Sequence, residues 1–112
     1  MKLSTPEYEV GGKYIYINVE WLKSDCRIEV RIASREPHPI RYRDVALEAY
    51  DESGEKIPLK GRDSDEIWSG VGINSMSFVT IGTYECTLRA SQKPAKFNLS
   101  IGGATRTFWL GK

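Results

Sequence analysis

The chain has 112 residues, 40% of them apolar and 28% charged, a length and mixture that suit one soluble domain spanning 1–112 and burying its own core. Sixteen basic against fifteen acidic side chains leave a formal net charge of +1, which supplies no long-range field for nucleic acid or anionic lipid. No apolar run is long enough to cross a bilayer, so nucleic-acid binding and membrane insertion are both set aside.

Read from the start, Met1-Lys2-Leu3-Ser4-Thr5-Pro6-Glu7 turns polar at once and lacks the apolar centre of a secretory signal. That leaves a cytoplasmic protein, or an extracellular domain whose signal has been removed. Ile15, Ile17, Val19 and Trp21 then alternate with Tyr14, Tyr16, Asn18 and Glu20, the period of a strand with one buried face. After the polar turn Lys23-Ser24-Asp25, a second strand follows, with Cys26, Ile28, Val30 and Ile32 alternating with Arg27, Glu29, Arg31 and Ala33. Pro37 and Pro39 cannot donate to a ladder, so Arg35 to Pro39 reads as a loop.

Val45, Leu47 and Ala49 alternate up to Asp51-Glu52-Ser53-Gly54, a turn whose glycine can take a positive φ, and Lys56 to Leu59 is a short return strand. Residues 60–74 are the least regular stretch. Further strands are expected around Met76 to Thr80, from Tyr84 to Ala90, and from Phe97 to Ile101. Gly102-Gly103 reads as a two-residue hairpin leading into Ala104 to Leu110. No helical spacing persists for three turns, so the expectation is an all-β, two-layer antiparallel β-sandwich of seven to eight strands. Acids concentrate over residues 44–66 and bases outweigh acids beyond them; the signs are expected to mix once the chain folds.

Gly82, Tyr84 and Cys86 at alternating positions, with Cys26 sixty residues earlier on a clean strand, resemble the F and B strands of immunoglobulin-like domains. The resemblance implies a Cys26–Cys86 disulfide that bridges the two sheets through the core, and a buried ring at Tyr84. The residues themselves leave a second alternative open, two reduced cysteines in the core.

The residue inventory speaks against a reaction or a cofactor. His38 is the single histidine, so no zinc set assembles with the two cysteines, and His38 with Glu36 beside it lacks the nucleophile of a catalytic triad. Asp63, Asp65 and Glu66 could offer oxygens to calcium, but without EF-hand spacing they read as a solvated loop. Gly70-Val71-Gly72 lacks the lysine and strand-to-helix context of a phosphate loop. A small hydrolase therefore ranks last.

The first expectation is a non-catalytic module that binds a protein partner through loops or an exposed strand edge. Its contact residues would be Arg35, His38, Arg41 and Arg43 around the proline loop and Trp68 in the segment from Lys60 to Gly72. Arginine's planar fork suits acidic partners there. The alternative is a carbohydrate-binding module that stacks sugars on Tyr14, Tyr16 or Trp68.

Overall fold

The computed structural model describes residues 1–33, 40–41, 44–61, 67–68 and 79–110, with only backbone described at 40–41, 67–68 and 79. Within these residues the elements are β1 (Lys2–Ser4), β2 (Tyr8–Val10), β3 (Lys13–Leu22), β4 (Asp25–Ala33), β5 (Ile40–Arg41), β6 (Val45–Asp51), β7 (Lys56–Ile57), β8 (Lys60–Gly61), β9 (Ile67–Trp68), β10 (Val79–Thr87), β11 (Pro94–Ile101) and β12 (Ala104–Trp109). No helix among them is long and apolar enough to cross a membrane. The chain is all-β and built on two antiparallel sheets, one ordered β1-β3-β4-β10-β8 with β2 also on β3, the other β12-β11-β6-β7.

Alternation decides which faces meet. On the first sheet Ile15, Ile17, Val19, Ile28, Val30 and Ile32 are fully buried, and on the second Ala49, Ile57, Phe97, Leu99 and Phe108 are. These side chains belong to one hydrophobic cluster shared by the two sheets. The β-branched residues fit the pleat, and each fully buried Ile or Phe contributes about 1.5–3 kcal/mol. Across the second sheet Phe108, Phe97, Ala49 and Ile57 stand opposite one another in turn, so a small residue makes room between two large ones.

Turn chemistry sets the connections. Lys23 takes a φ of +57° in the two-residue turn between Leu22 and Asp25. Gly102 and Gly103, with φ of +54° and +90°, close the expected hairpin that pairs Ile101 with Ala104, both in the left-handed region that such turns demand. At the end of β6, Asp51 Oδ1 accepts hydrogen bonds from Ser53 N, Ser53 Oγ and Glu55 N at 2.6–2.9 Å, and its Oδ2 accepts from Gln92 Nε2 at 3.0 Å. One carboxylate thus ties the β6–β7 turn to the β10–β11 turn. Those bonds, from Ser53 first and then Gln92, hold its pKa down at about 2.

The sheets are joined at β2 and β12. Tyr8 meets Phe108 edge-on at 4.8 Å, and Arg106 lies over the Tyr8 ring while donating to the Glu9 carbonyl at 2.9 Å. Ahead of β2, Thr5 pairs with Ile17 through both its backbone N–H and its side-chain hydroxyl. Tyr8 pairs with Ile15, which leaves Pro6 and Glu7 together opposite Tyr16. This is a bulge, placed where proline has no N–H to give.

Two expectations need correcting. Separate strands at 76–80 and 84–90 are replaced, from Val79 onward, by the single strand β10, which runs through Gly82; a register shift between Thr80 and Gly82 absorbs the irregularity. Leu88 is buried beyond the end of β10, and Ala90 lies exposed in the following turn; Met76 and Phe78 fall outside the described residues. The return strand of Lys56 to Leu59 ends at Ile57 because Pro58 interrupts the ladder, and the chain then crosses to the first sheet as β8.

Candidate functional site

Inward residues of the first sheet line up in rows, since direct antiparallel partners share a face. One row is Val19, Ile28 and Tyr84, with Gly61 beyond; the next, at the sheet's end, is Trp21, Cys26 and Cys86. Tyr84 is buried, as the resemblance implied. The cysteines are not where it implied. They are free thiols on neighbouring strands of the same sheet, directly opposite each other, and so cannot bridge one sheet to the other. The alternation correctly places both on the core face; it carries no information about which strand is the neighbour.

Side-chain hydrogen bonding between the two thiols, followed by burial, pushes the Cys26 pKa up, and the same interaction pulls the Cys86 pKa down against its own burial.

A cleft of about 580 Å³ opens at this end of the sheet, lined by Trp21, Leu22, Cys26, Cys86 and Thr87 and by the charged Glu20, Asp25, Arg27, Lys60 and Glu85. A second hollow of about 290 Å³, bounded by Pro58 and Leu59, adjoins it through Lys60, Glu85, Cys86 and Thr87. Leu22 is 73% exposed, a large apolar side chain held beside the opening by the tight turn at Lys23. The sequence does not disclose this cleft, because alternation places both sulfurs on the core face without naming the strand beside each.

On the outer face of the same sheet, the adjacent register row reads Lys2, Glu20, Arg27, Glu85, Lys60 across five strands. The signs alternate without a break, and all five side chains are exposed. Arg27 and Arg31 both approach Glu29, at 3.3 and 3.6 Å. Here the charges alternate rather than forming a basic patch.

A different surface lies on the outer side of the second sheet. Tyr50, Lys96 and Trp109 are cross-strand neighbours, with the Lys96 ammonium 4.7 Å from the Tyr50 ring and 5.6 Å from the Trp109 ring. Beside them, Thr107 donates to Asn98 and Ser100 is hydrogen bonded to Thr105. Lys56 pairs with Glu48 at 3.0 Å, which lowers the pKa of Glu48 and raises that of Lys56. Trp109 is 44% exposed.

Of the residues singled out from sequence, Tyr14 and Tyr16 are half-buried on the outer face of β3, opposite Ala33 and Arg31. They do not share a surface with Tyr50 and Trp109. Arg41 and Trp68 lie on β5 and β9, whose backbones pair antiparallel, Ile40 with Trp68 and Arg41 with Ile67, so the two segments expected to make contacts run side by side. Arg35, His38 and Arg43 lie outside the described residues, as do Asp63, Asp65 and Glu66. Among the described residues, no three His, Cys, Asp or Glu side chains gather into a metal-binding group. No protein-family model matches the chain, and no curated protein matches it significantly.

Proposed function

We propose that the chain is a non-catalytic binding module for a protein partner, and that the cleft over Trp21, Cys26 and Cys86 seats an apolar side chain of that partner. The observation that carries this reading is the pairing of a cleft of about 580 Å³ with an exposed Leu22 in its lining. That size lies within the usual range for a binding pocket, about 300–1,000 Å³, and Trp21 in its lining is the kind of side chain that dominates contact centres. The pairing of Arg41 and Trp68 segments adds a second stretch where both expected contact loops would act together. Within the two-sheet architecture, the likeness to immunoglobulin domains rests on the Gly82-Tyr84-Cys86 run alone.

Selection of binders from a displayed random-peptide library tests the reading. Selected peptides are expected to carry a large apolar residue, to shift the amide resonances of Trp21, Cys26 and Cys86, and to lose at least tenfold in affinity on Leu22→Asp. Binders that leave those resonances unmoved would contradict it.

A second reading, glycan binding, is favoured by the Tyr50-Lys96-Trp109 row rather than by Tyr14, Tyr16 or Trp68. A flat sheet face with half-exposed rings flanked by Asn98, Thr107 and Glu48 offers both stacking and hydrogen bonds to a sugar. Titration of a glycan panel would then change tryptophan fluorescence in the wild type and not in Trp109→Ala; silence across the panel removes this reading.

A further inference from the structure

We propose that Cys26 and Cys86 form a peroxide-reactive dithiol, a modification site that closes reversibly into a disulfide between adjacent strands of one sheet. The inference stands apart from any binding role of the cleft.

Geometry carries it. Direct antiparallel partners hold their Cα atoms about 4.5–5.5 Å apart, inside the range of about 4.4–6.8 Å that a disulfide spans. Cys26 and Cys86 are such partners in an unbroken stretch of register from Asp25–Thr87 to Val30–Gly82, and Leu88 N donates to Ser24 O at 2.7 Å just beyond them. The ladder on both sides thus fixes the two sulfurs next to each other, and the bond can form without moving a strand.

Access is the second argument. Most cysteines on a core face are sealed from reagents, but these two line the cleft, and Cys86 also borders the adjoining hollow. At 5% and 9% exposure they admit a small oxidant far better than a bulky one. Cys86, which lines both openings where Cys26 lines one, is the sulfur that an entering oxidant meets first.

Hydrogen peroxide fits this opening, and the steps balance. The Cys86 thiolate attacks one peroxide oxygen, the O–O bond breaks, and the departing hydroxide takes a proton to leave as water, giving a sulfenic acid at Cys86. Cys26 then attacks that sulfur, the S–O bond breaks, and the hydroxyl leaves with the Cys26 proton as a second water. Two thiols are oxidised by two electrons and one peroxide is reduced to two waters. A dithiol reductant reverses the change by thiol–disulfide exchange.

The test is a brief exposure of the purified chain to a few equivalents of hydrogen peroxide, followed by alkylation in denaturant and mass spectrometry. The expected result is loss of both alkylatable thiols, a mass lower by two hydrogens, a peptide map joining Cys26 to Cys86 within one chain, and full recovery after dithiothreitol. In Cys26→Ser, Cys86 is expected to gain oxygen and proceed to sulfinic acid; in Cys86→Ser, Cys26, which lines only the first opening, should react more slowly. Should either variant fail to fold, the wild-type map decides alone. Two thiols that stay alkylatable, over-oxidation of Cys86 without a link, or a link joining two chains would each overturn the proposal.

Discussion

The ring of Tyr84 lies across Gly82: a Cβ placed on the glycine would come within 3.1 Å of Tyr84 Cε2 and 3.3 Å of its hydroxyl oxygen. Two residues apart on β10, they share the core face, so the absent side chain at 82 is what lets the tyrosine fold back along its own strand and remain buried. Gly82→Ala should displace the ring. Overpacking of this kind costs about 1–3 kcal/mol, against about 0.5–1 kcal/mol that alanine recovers over glycine in a strand. A net loss of about 1 kcal/mol in urea unfolding is expected, and it should largely disappear in Gly82→Ala combined with Tyr84→Leu. A single substitution that stabilises the chain would show that the ring does not rest there.

The turn carboxylate gives a pH dependence with a definite sign. Asp51 has a folded pKa of about 2, below the value of about 3.9 for an unfolded aspartate. Its contribution is therefore complete above about pH 4 and is lost as the pH falls through about 2. Thermal melts of wild type and Asp51→Ala should differ at pH 6 and converge at pH 2. A gap that stays constant across that window would mean that Ser53, Gln92 and Glu55 do not hold the charged form.

Alternating charges across five strands should favour the observed register. Arg27→Glu would set three acids side by side, at positions 20, 27 and 85, and remove the contact with Glu29. Direct cross-strand pairs of this type are worth about 0.2–1 kcal/mol each, so a loss of about 1 kcal/mol is expected at low salt. Most of it should vanish in 1 M sodium chloride, where the screening length falls to about 3 Å. A salt-independent loss would assign the effect to the arginine's packing instead.

These residues also show what the sequence makes legible. The pattern from Ile15 to Trp21 and from Cys26 to Ile32 is read directly as strands with a core face, because side-chain direction depends only on the local pleat. Gly102-Gly103 and Gly54 are equally legible, because turn geometry is local. The position of β10 is not, since it joins β4 from about fifty residues away, and alternation names the face of a strand without naming its neighbour. The resemblance supplied a neighbour instead, with the cysteines on opposite sheets, and so hid the cleft beside them. A signal was available in the outward residues: Glu20, Arg27 and Glu85 each adjoin the last inward residue, Trp21, Cys26 and Cys86, and their signs alternate in the order in which the strands pair. Glycine weakens a strand, whereas Gly82 makes room for Tyr84 within a continuous one.

The placement of β4 beside β10 underlies the thiol pair, the cleft and the charge row alike, and a nuclear Overhauser experiment reads it most directly. Because Leu88 N donates to Ser24 O, the hydrogen-bonded pairs fall at 24–88 and 26–86, and Arg27 faces Glu85 in a non-hydrogen-bonded pair, where the Hα atoms approach most closely. A strong Hα–Hα cross-peak between Arg27 and Glu85 is expected. Its absence, with the two strands in separate layers about 10 Å apart, would contradict the shared sheet.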